Sequence, residues 1–409
     1  MTPDSAKAPL QMPGVLQQGD RAKPTVLAFV GNYLPGYKAG GILRSLVNAV
    51  DHLCHDFHFR IVTRDRDLGD EKPFSGVEFN QWQRVGNAQV YYLQPERNRI
   101  REIFDLITAT PHHVLYLNSF FDPFTVTVLL IRRLGVSGFK QVIVAPRGEF
   151  AWGALGQKHL KKMLYIRVAR LAGLYEGVTW HASSQFEAVD IAKVMEIRPD
   201  AIHTALDLPT KAVREGGDDV EQLSCRSEGL RIVFVSRIAR VKNLDYALRI
   251  LGRVEARVTF HIYGPIEATD YWRECQKLID LLPGNVKVEY VGSVNPNDVV
   301  SVFGRYDLFL FPTCGENYGH VIAEALTAGT PVLISTETPW RNLQEEGFGW
   351  DLALADIASF AEAVERYALL TDQERAEKRE VIKSRIMARL LDPAVLEANR
   401  ELFKNASLR

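Results

Sequence analysis

The chain has 409 residues, of which 46% are apolar and 24% charged, and its formal net charge is -1. This length favours two or three domains, because a single hydrophobic core rarely serves so many residues. The near-neutral charge argues against a nucleic-acid binder, which needs an excess of Lys and Arg to neutralise phosphates. The four cysteines, Cys54, Cys225, Cys275 and Cys314, lie far apart, which argues against a zinc site or a disulfide framework and suits a reducing compartment.

The N-terminal stretch, residues 1–23, is rich in Pro, Gln, Gly and Lys and lacks an apolar core. This composition predicts a disordered segment rather than a signal peptide or an anchor. No run approaches the 18 apolar residues that a membrane span needs. We therefore expect a cytoplasmic protein.

In the first half, short apolar runs alternate with helical patterns. The expected strands are Thr25–Val30, Phe59–Thr63, Val90–Leu93, Val114–Leu117, Val142–Ala145 and Val178–His181. The expected helices are Ile42–Leu53, Thr125–Leu134, Leu160–Leu171 and Phe186–Met195. Continuous apolar strands interleaved with helices predict a parallel sheet that is covered on both faces.

Residues 206–229, with Pro209 and the Gly216-Gly217 pair, are typical of a linker. The alternation then restarts, with expected strands Ile232–Val235, Val258–Tyr263, Val286–Tyr290, Leu308–Phe311 and Val332–Ile334, each followed by a helix. We therefore expect α/β architecture with two doubly wound, Rossmann-like domains, 24–205 and 230–385, facing a cleft, and a helical tail at 386–409. In such sheets ligands bind beyond the carboxyl ends of the strands, so the strand-to-helix turns are the places to search for a site.

In the first domain, the turn Gly31–Gly41 contains four glycines, which allow a ligand to approach the main chain closely. Asp65 and Asp67 after the second strand look like the metal-binding Asp-x-Asp of a different class of sugar transferases. Arg64 and Arg66 would compete with a metal, so a solvated charged loop is the favoured interpretation.

Asn118 follows the fourth strand, and Arg147 and Glu149 follow the fifth. Arg147 has the rigid donor fork that suits a phosphate or a carboxylate. Glu149 is either part of a ligand-contacting turn or the ion-pair partner of Arg147.

The stretch Lys158–Leu171 predicts an amphipathic helix with an apolar stripe, Leu160, Leu164, Val168 and Leu171, and a basic stripe, Lys158, Lys161 and Lys162. Such a helix can rest on an anionic membrane or bind a phospholipid acceptor. It can equally pack its apolar stripe on the sheet, which is the interpretation we favour.

In the second domain, Arg237 and Lys242 share one turn that leads into a helix. Two cations beside a helix N-terminus predict a diphosphate site. Gly264 ends the next strand, where it would let a ligand approach the backbone, and the turn ending at Val294 could form a floor for a nucleobase.

The fourth strand of this domain leads into Cys314–Glu324, a glycine-containing turn followed by a helix. Glu316 lies before the helix and Glu324 within it, so the two carboxylates could hold the two ends of one elongated polar ligand, with the helix amides offering an anion site between them. A nucleotide-sugar has this shape. Taken alone, Glu316 could equally be a favourable partner of the helix dipole and Glu324 could face water.

Together these residues resemble the retaining glycosyltransferases of family 4, which have the two-domain GT-B fold. Arg237 and Lys242 match the family's Ser-Arg…Lys diphosphate turn, Gly264-Pro265 its glycine turn, and Glu316 with Glu324 its E-x7-E motif. The resemblance implies that Glu324 accepts hydrogen bonds from the ribose and that Glu316 faces the donor sugar. It also implies sugar contacts from the backbone of Tyr318 and Gly319, base contacts near Val294, and a donor contact from Gly41 across the cleft.

Two positions depart from the family pattern. Asn317-Tyr318 replaces the usual Gly-Phe, so the donor sugar could differ, and Asn118 stands about where a histidine is often found. The segments Pro146–Phe150 and Lys158–Tyr165 are similar to bacterial enzymes that build surface polysaccharides. The resemblance thus implies a UDP- or GDP-linked sugar donor and a glycan or polyprenyl-linked saccharide acceptor.

The implied reaction needs stabilisation of the leaving diphosphate, a catalytic role that falls to Arg237 and Lys242, with Glu316 at the sugar. Because two cations and helix amides would hold the diphosphate, no metal or other cofactor is expected. The family resemblance implies retention of configuration, with the leaving phosphate accepting the acceptor's proton. A nucleotide-sugar epimerase on the same fold and a non-catalytic nucleotide-sugar-binding protein remain alternatives.

Overall fold

The computed structural model describes residues 23–95, 99–135, 141–151, 154–155, 159–211 and 229–407. The disorder expected for residues 1–23 concerns, apart from Lys23, residues outside these ranges. Most of the expected linker, together with Cys225 and Lys158, also lies outside them.

Within these ranges, the first half of the chain forms a sheet with the order β3-β4-β2-β1-β5-β6-β7-β8. Its strands are β1 (Thr25–Phe29), β2 (His58–Arg64), β3 (Trp82–Val85), β4 (Ala88–Leu93), β5 (Val114–Asn118), β6 (Gln141–Ala145), β7 (Thr179–Ala182) and β8 (Ile202–Thr204). The helices are α1 (Gly41–Leu53), α2 (Arg99–Ala109), α3 (Pro123–Arg133), α4 (His159–Leu171) and α5 (Gln185–Met195). Neighbouring strands are parallel except for β3 and β4. Because β1 pairs with both β2 and β5, the strand order reverses at the carboxyl end of β1.

The second half forms a wholly parallel sheet with the order β11-β10-β9-β12-β13-β14. Its strands are β9 (Leu230–Val235), β10 (Val258–Tyr263), β11 (Val286–Gly292), β12 (Leu308–Phe311), β13 (Val332–Ser335) and β14 (Gly349–Leu352). The helices are α6 (Leu244–Leu251), α7 (Thr269–Ile279), α8 (Val299–Phe303), α9 (His320–Thr327), α10 (Leu343–Glu346), α11 (Ile357–Ala368), α12 (Asp372–Leu390) and α13 (Pro393–Ser407). The order reverses between β9 and β12, which is where a doubly wound sheet opens a crevice for a ligand.

Local sequence accounts for where several helices begin. Asp122 caps α3 by accepting from the Phe124 amide, and Pro123 occupies the first helical position, where its missing N–H costs nothing. Ser184 caps α5 in the same way by accepting from the Glu187 amide. Both caps lie at the carboxyl edge of the first sheet, so they fix the turns that border the cleft.

The C-terminal helices divide between the two domains. Helix α12 packs Ile382, Ile386 and Leu390 into the core of the second domain and therefore runs through residue 386, where the tail was expected to begin. Helix α13 crosses to the first domain, where the Phe403 ring lies 5.5 Å from that of Phe57 and 5.2 Å from that of Tyr116. Helix α13 thus packs against the first domain.

The expected fold, two parallel-sheet α/β domains with a helical tail, is confirmed. Four short or weakly patterned elements were missed, namely β3, β8, β14 and α2. Strand β3 is a four-residue edge strand that is only partly buried, and β8 has three residues, so neither gives a clear periodic signal.

The favoured packing of the α4 stripe on the sheet is wrong. Leu160, Leu164, Val168 and Leu171 are between 57% and 90% exposed, whereas Ile166 and Ala169 on another face of the helix are buried. The helix carries two apolar faces, and periodicity identifies both without saying which one the sheet covers. Among the described residues, no helix has the length and apolar character needed to cross a bilayer.

Candidate functional site

The turns after β9 and β12 meet at the reversal point of the second sheet. Asn243, in a left-handed conformation just before α6, donates from its side chain to the carbonyl of Pro312 at 2.8 Å. The Cys314 amide donates to the carbonyl of Val241 at 2.8 Å. These hydrogen bonds hold the predicted diphosphate-binding turn next to the predicted sugar-binding turn.

The predicted residues Lys242 and Glu316 contact each other across this point. The Lys242 ammonium lies 2.5 Å from a carboxylate oxygen of Glu316, and the side chains are only 14% and 12% exposed. The ammonium also lies 5.7 Å from the centre of the Phe311 ring. Lys242, predicted to bind the diphosphate, and Glu316, predicted to face the sugar, therefore lie in one partly buried site.

Arg237 has a different partner on the same edge, since its guanidinium pairs with the Glu267 carboxylate. Both side chains are more than a third exposed, so this ion pair is open to solvent. Arg240, on the same turn, points instead to Glu274 and over the Tyr271 ring.

The turn after β12 leads to Gly319, the N-cap of α9, which has a φ of 81°. Tyr318 is buried against Trp340 and His320, and its carbonyl accepts a 2.7 Å hydrogen bond from the Trp340 indole. Burial raises the pKa of the Tyr318 hydroxyl. The Tyr318 side chain thus packs inside the second domain and supports the turn before α9.

Gly264 and Val294 flank the neighbouring strands of the same edge. Gly264 has a φ of 138°, and an added Cβ would come within 1.9 Å of the Ser236 carbonyl oxygen. The close approach of the β9 turn therefore suffices to require glycine here, without a ligand. Val294 is partly buried and packs against the second-domain core.

The segment from Asn317 to Glu324 is also where the second domain contacts the first. The Asn317 amide donates to the Ser183 hydroxyl at 2.6 Å, and Glu324 forms an ion pair with Arg44 of α1. An added Cβ on Gly148 would lie 2.9 Å from the Asn317 Cβ, so a side chain at position 148 would clash with Asn317. The predicted donor motif therefore forms the contact between the domains as well.

His320 makes the third contact of this segment. Its Nε2 lies 3.1 Å from the Ser45 hydroxyl and 3.6 Å from the Asp207 carboxylate. Gly41 is adjacent, because an added Cβ there would lie 4.0 Å from the His320 ring. The glycine turn of the first domain thus faces the start of α9.

Arg147 is buried, and its partner is Asp207 rather than Glu149. Its guanidinium donates to Asp207 at 2.6 Å, to the Tyr116 hydroxyl at 2.6 Å and to the Asn118 side-chain oxygen at 3.1 Å. Burial alone would raise the pKa of Asp207, but the charge of Arg147 and the hydrogen bonds from His320 and Ser45 hold it well below its usual range. Asp207 therefore joins both domains through ionised, hydrogen-bonded contacts.

Glu149 stabilises the turn after β5. Its carboxylate accepts from the Ser119 hydroxyl at 2.7 Å and from the amides of Phe120 and Phe121. Burial raises the pKa of Glu149, although these hydrogen bonds oppose the shift. The alternative in which Glu149 is the ion-pair partner of Arg147 is wrong, because the Glu149 oxygens are directed at the β5 turn.

Asn118 has an unused donor beside this cluster. The residue is fully buried, and its Nδ2 has no hydrogen-bond partner among the described residues. A buried polar atom of this kind requires an explanation, since leaving it unpaired costs about 1–3 kcal/mol.

The interpretation of Asp65 and Asp67 as part of a solvated loop is wrong, because both side chains are buried and paired with protein groups. Asp65 pairs with Arg66, and Asp67 accepts from the amides of Tyr37, Lys38 and Leu68. Across the described ranges, no cluster of three His, Cys, Asp or Glu side chains is placed to hold a metal ion. Asp67 instead fixes the glycine turn that faces the cleft.

Sequence reasoning missed Arg44, Ser183, Asp207 and His320. Asp207 was assigned to the linker because its neighbours include few large apolar residues, yet it is buried. The contact between Arg44 and Glu324 joins residues 280 positions apart, and no local pattern reveals such a pair. His320 lies within the Cys314–Glu324 stretch, but its local sequence indicates no contact with the first domain.

Residues 229–370 match the family model described as glycosyl transferases group 1. The match is confined to the second domain. The match covers the strands and turns that carry Arg237, Lys242, Gly264, Val294, Glu316 and Glu324.

Curated relatives match parts of the chain. An uncharacterised 41.2 kDa protein in the cps region of Klebsiella pneumoniae is 25% identical over 222 residues, 54% of this chain and 59% of that protein. An uncharacterised glycosyltransferase of Methanocaldococcus jannaschii is 23% identical over 294 residues, 64% of this chain and 70% of that protein. The chain thus spans less than two thirds of the Klebsiella relative's length.

Solved structures match nearly the whole chain. Anabaena HepE, in complex with UDP and glucose, superposes with a TM-score of 0.67 at 16% identity, covering 94% of this chain and all of that one. WaaG, a glycosyltransferase involved in lipopolysaccharide biosynthesis, superposes with a TM-score of 0.64 at 14% identity, covering 94% of this chain and 99% of that one. The fold is therefore GT-B.

Proposed function

We propose that the protein is a retaining hexosyltransferase that moves a sugar from a UDP- or GDP-linked donor to a glycan or polyprenyl-linked saccharide acceptor. The observation that carries the proposal is the meeting of Lys242 and Glu316 at the reversal point of the second sheet, within the residues that match the glycosyl transferases group 1 family model. This is the crevice in which open parallel sheets bind ligands.

In this proposal the donor lies along the carboxyl edge of the second sheet. Val294 lies near the base, Glu324 accepts from the ribose, Arg237 and Lys242 hold the diphosphate, and Glu316 faces the sugar. Gly41, Gly264 and the backbone from Asn317 to Gly319 complete the donor site. The family resemblance supports these roles, and UDP-glucose bound to the structural neighbour HepE supports this class of donor.

The difficult step is departure of the nucleoside diphosphate from the anomeric carbon. Negative charge grows on the leaving oxygen, and Lys242, Arg237 and the N-terminus of α9 supply positive potential there. The leaving phosphate accepts the proton of the acceptor hydroxyl on the same face of the sugar, so the configuration is retained. Because two cations and helix amides balance the diphosphate, the reaction requires no metal.

The acceptor approaches from the first domain. Asn118 ends β5 at the carboxyl edge of the first sheet, and its side-chain oxygen accepts from the Arg147 guanidinium. Arg147 and Glu149 act indirectly, since Arg147 orients Asn118 and Glu149 fixes the turn that follows it. A role in cell-surface or exopolysaccharide synthesis is supported by the relative from the Klebsiella cps region and by the neighbour WaaG.

A peripheral position at the inner face of the cytoplasmic membrane completes the proposal. Helix α4 exposes Leu160, Leu164, Val168 and Leu171, with Lys161 and Arg167 exposed beside them. Exposed apolar side chains flanked by cations suit the surface of an anionic bilayer. Leu164→Glu should abolish sedimentation with vesicles that contain phosphatidylglycerol, whereas Leu369→Glu, at an exposed leucine of the second domain, should not. Equal sedimentation of both variants would contradict this surface.

The decisive experiment is a screen of UDP- and GDP-sugars with lipid-linked and free glycan acceptors, with the anomeric configuration of the product read by NMR. We expect transfer with retention, unchanged by EDTA. Interconversion of the donor without an acceptor would identify an epimerase. Nucleotide-sugar binding without any turnover would identify a non-catalytic binder.

A further inference from the structure

Arg44 reaches from the first domain onto the proposed nucleoside end of the donor site. It is the fourth residue of α1, three positions after Gly41. Its Nη1 pairs with the Glu324 carboxylate, and its Nη2 donates to the Pro296 carbonyl at 3.4 Å. The side chain is 22% exposed and that of Glu324 is 11% exposed, so the ion pair is largely removed from water.

This ion pair occupies the carboxylate that the proposed function assigns to the ribose. Glu324 interacts with Arg44 through Oε1. Ribose hydroxyls that donate to Glu324 Oε1 would compete with the guanidinium for that oxygen. The second contact, at Pro296, lies two residues beyond Val294, where the base is proposed to bind.

A displaced arginine cannot stay unpaired at this place. Removing one partner from a largely buried ion pair leaves an uncompensated charge, which is strongly unfavourable. Arginine does not give up its proton, so it must find another anion. The proposed diphosphate lies at the N-terminus of α9, and Glu324 follows His320, the first residue of that helix, by four residues, or about 6 Å of rise.

We propose that Arg44 is a further donor-binding residue, whose guanidinium leaves Glu324 when the ribose binds and pairs with the diphosphate. The guanidinium fork matches phosphate oxygens with two parallel hydrogen bonds. The assignment rests on the proposed function, because it takes Glu324 as the ribose partner. It gives the first domain a direct contact to the donor phosphates, in addition to the backbone at Gly41.

The exchange has opposite consequences for two ligands. For a nucleoside, Arg44 is a competitor that must be displaced from Glu324 without compensation. For a nucleoside diphosphate, the same side chain becomes a ligand of the phosphates. Arg44 therefore discriminates against nucleosides and in favour of nucleoside diphosphates.

Isothermal titration of wild type, Arg44→Gln and Arg44→Lys with UDP and uridine tests the assignment, with GDP and guanosine used in the same way if UDP does not bind. We expect Arg44→Gln to weaken binding of the diphosphate by at least about tenfold and to leave nucleoside binding unchanged or tighter. Arg44→Lys keeps the charge without the fork, so we expect a smaller loss, about two- to fivefold, for the diphosphate only. Arg101→Gln, at an exposed arginine of α2, should change neither affinity.

Equal changes for nucleoside and diphosphate, or an unchanged diphosphate affinity, would overturn the assignment of Arg44. Failure of wild type to bind either diphosphate would overturn the proposed function itself. Should Arg44→Gln not fold, the Arg44→Lys comparison decides, because only the proposed exchange predicts a loss confined to the diphosphate.

Discussion

Replacing Lys242 with alanine removes the cation that contacts Glu316 at the reversal point of the second sheet. In the structure its ammonium lies 2.5 Å from Glu316, and both side chains are at least 86% buried from solvent, at 14% and 12% exposure. At such exposure a charge interacts through protein rather than through bulk water, so its effect on a developing negative charge is large.

Two free energies follow from this geometry. The variant lacks a preorganised cation that would stabilise the leaving diphosphate. Its turnover should therefore be lower than that of wild type by at least about a hundredfold, or about 2.7 kcal/mol of transition-state stabilisation. Loss of the charged hydrogen bond to Glu316 should lower the free energy of unfolding by about 1.5–3 kcal/mol. The variant should therefore be folded but nearly inactive.

The measurement is kcat and kcat/KM for release of nucleoside diphosphate from the nucleotide-sugar that wild type uses best, together with urea unfolding. Arg240→Ala is the matched control, because Arg240 lies on the same turn but pairs with Glu274 in solvent. Its turnover should stay within about twofold of wild type. Turnover of Lys242→Ala within about threefold of wild type, or an equal loss in Arg240→Ala, would refute the proposed role.

Three further predictions concern the buried polar cluster and the domain contact. Burial and the charge of a neighbouring arginine lower the pKa of His181 from 6.5 to about 3, so the unfolded chain binds more protons than the native one between these values. The free energy of unfolding should thus fall as the pH drops from 6.5 towards 3, by up to about 1.4 kcal/mol per pH unit, and His181→Gln should reduce this slope by one proton in urea titrations; an unchanged slope would contradict the shift. Asp207→Asn leaves a buried guanidinium without its counter-charge and should cost about 3–5 kcal/mol in urea unfolding, while a loss below about 1 kcal/mol would show that the ion pair contributes little. Gly148→Ala should expand the molecule in small-angle scattering, because the new Cβ meets Asn317 at 2.9 Å, whereas Gly135→Ala, with the same sign of φ and open space around it, should not; identical profiles for both would argue against a close domain contact.

Much of the site could be predicted from the sequence because its parts are local. A strand, a polar turn and a helix are contiguous in the chain, so Lys242 and Glu316 could be assigned to the same sheet edge from the alternation of apolar strands and helices alone. Contact across the reversal point then follows from the strand order, which a parallel α/β pattern favours. The position of Gly41 at the cleft follows from the same reasoning.

The second half of the site could not be predicted, because it consists of pairs that are distant in the chain. Arg44 and Glu324 are 280 residues apart, and Arg147 and Asp207 are 60 apart. Nothing in the local pattern around Asp207 distinguishes a buried interdomain carboxylate from a linker residue. Glu149 is closer to Arg147 in the chain than Asp207 is. Its carboxylate nevertheless accepts from a hydroxyl and two amides of the β5 turn.

The sequence by itself determined the two parallel sheets, the helical tail and the edge on which the candidate donor residues lie, since these depend on periodicity and on turn chemistry within a few residues. Only the tertiary structure decided which face of α4 is covered, which carboxylate neutralises Arg147, and that the segment from Asn317 to Glu324 joins the two domains. Those outcomes depend on which surfaces meet in space. Burial then selects the pairs, because a charge removed from water must have a partner wherever in the chain that partner lies.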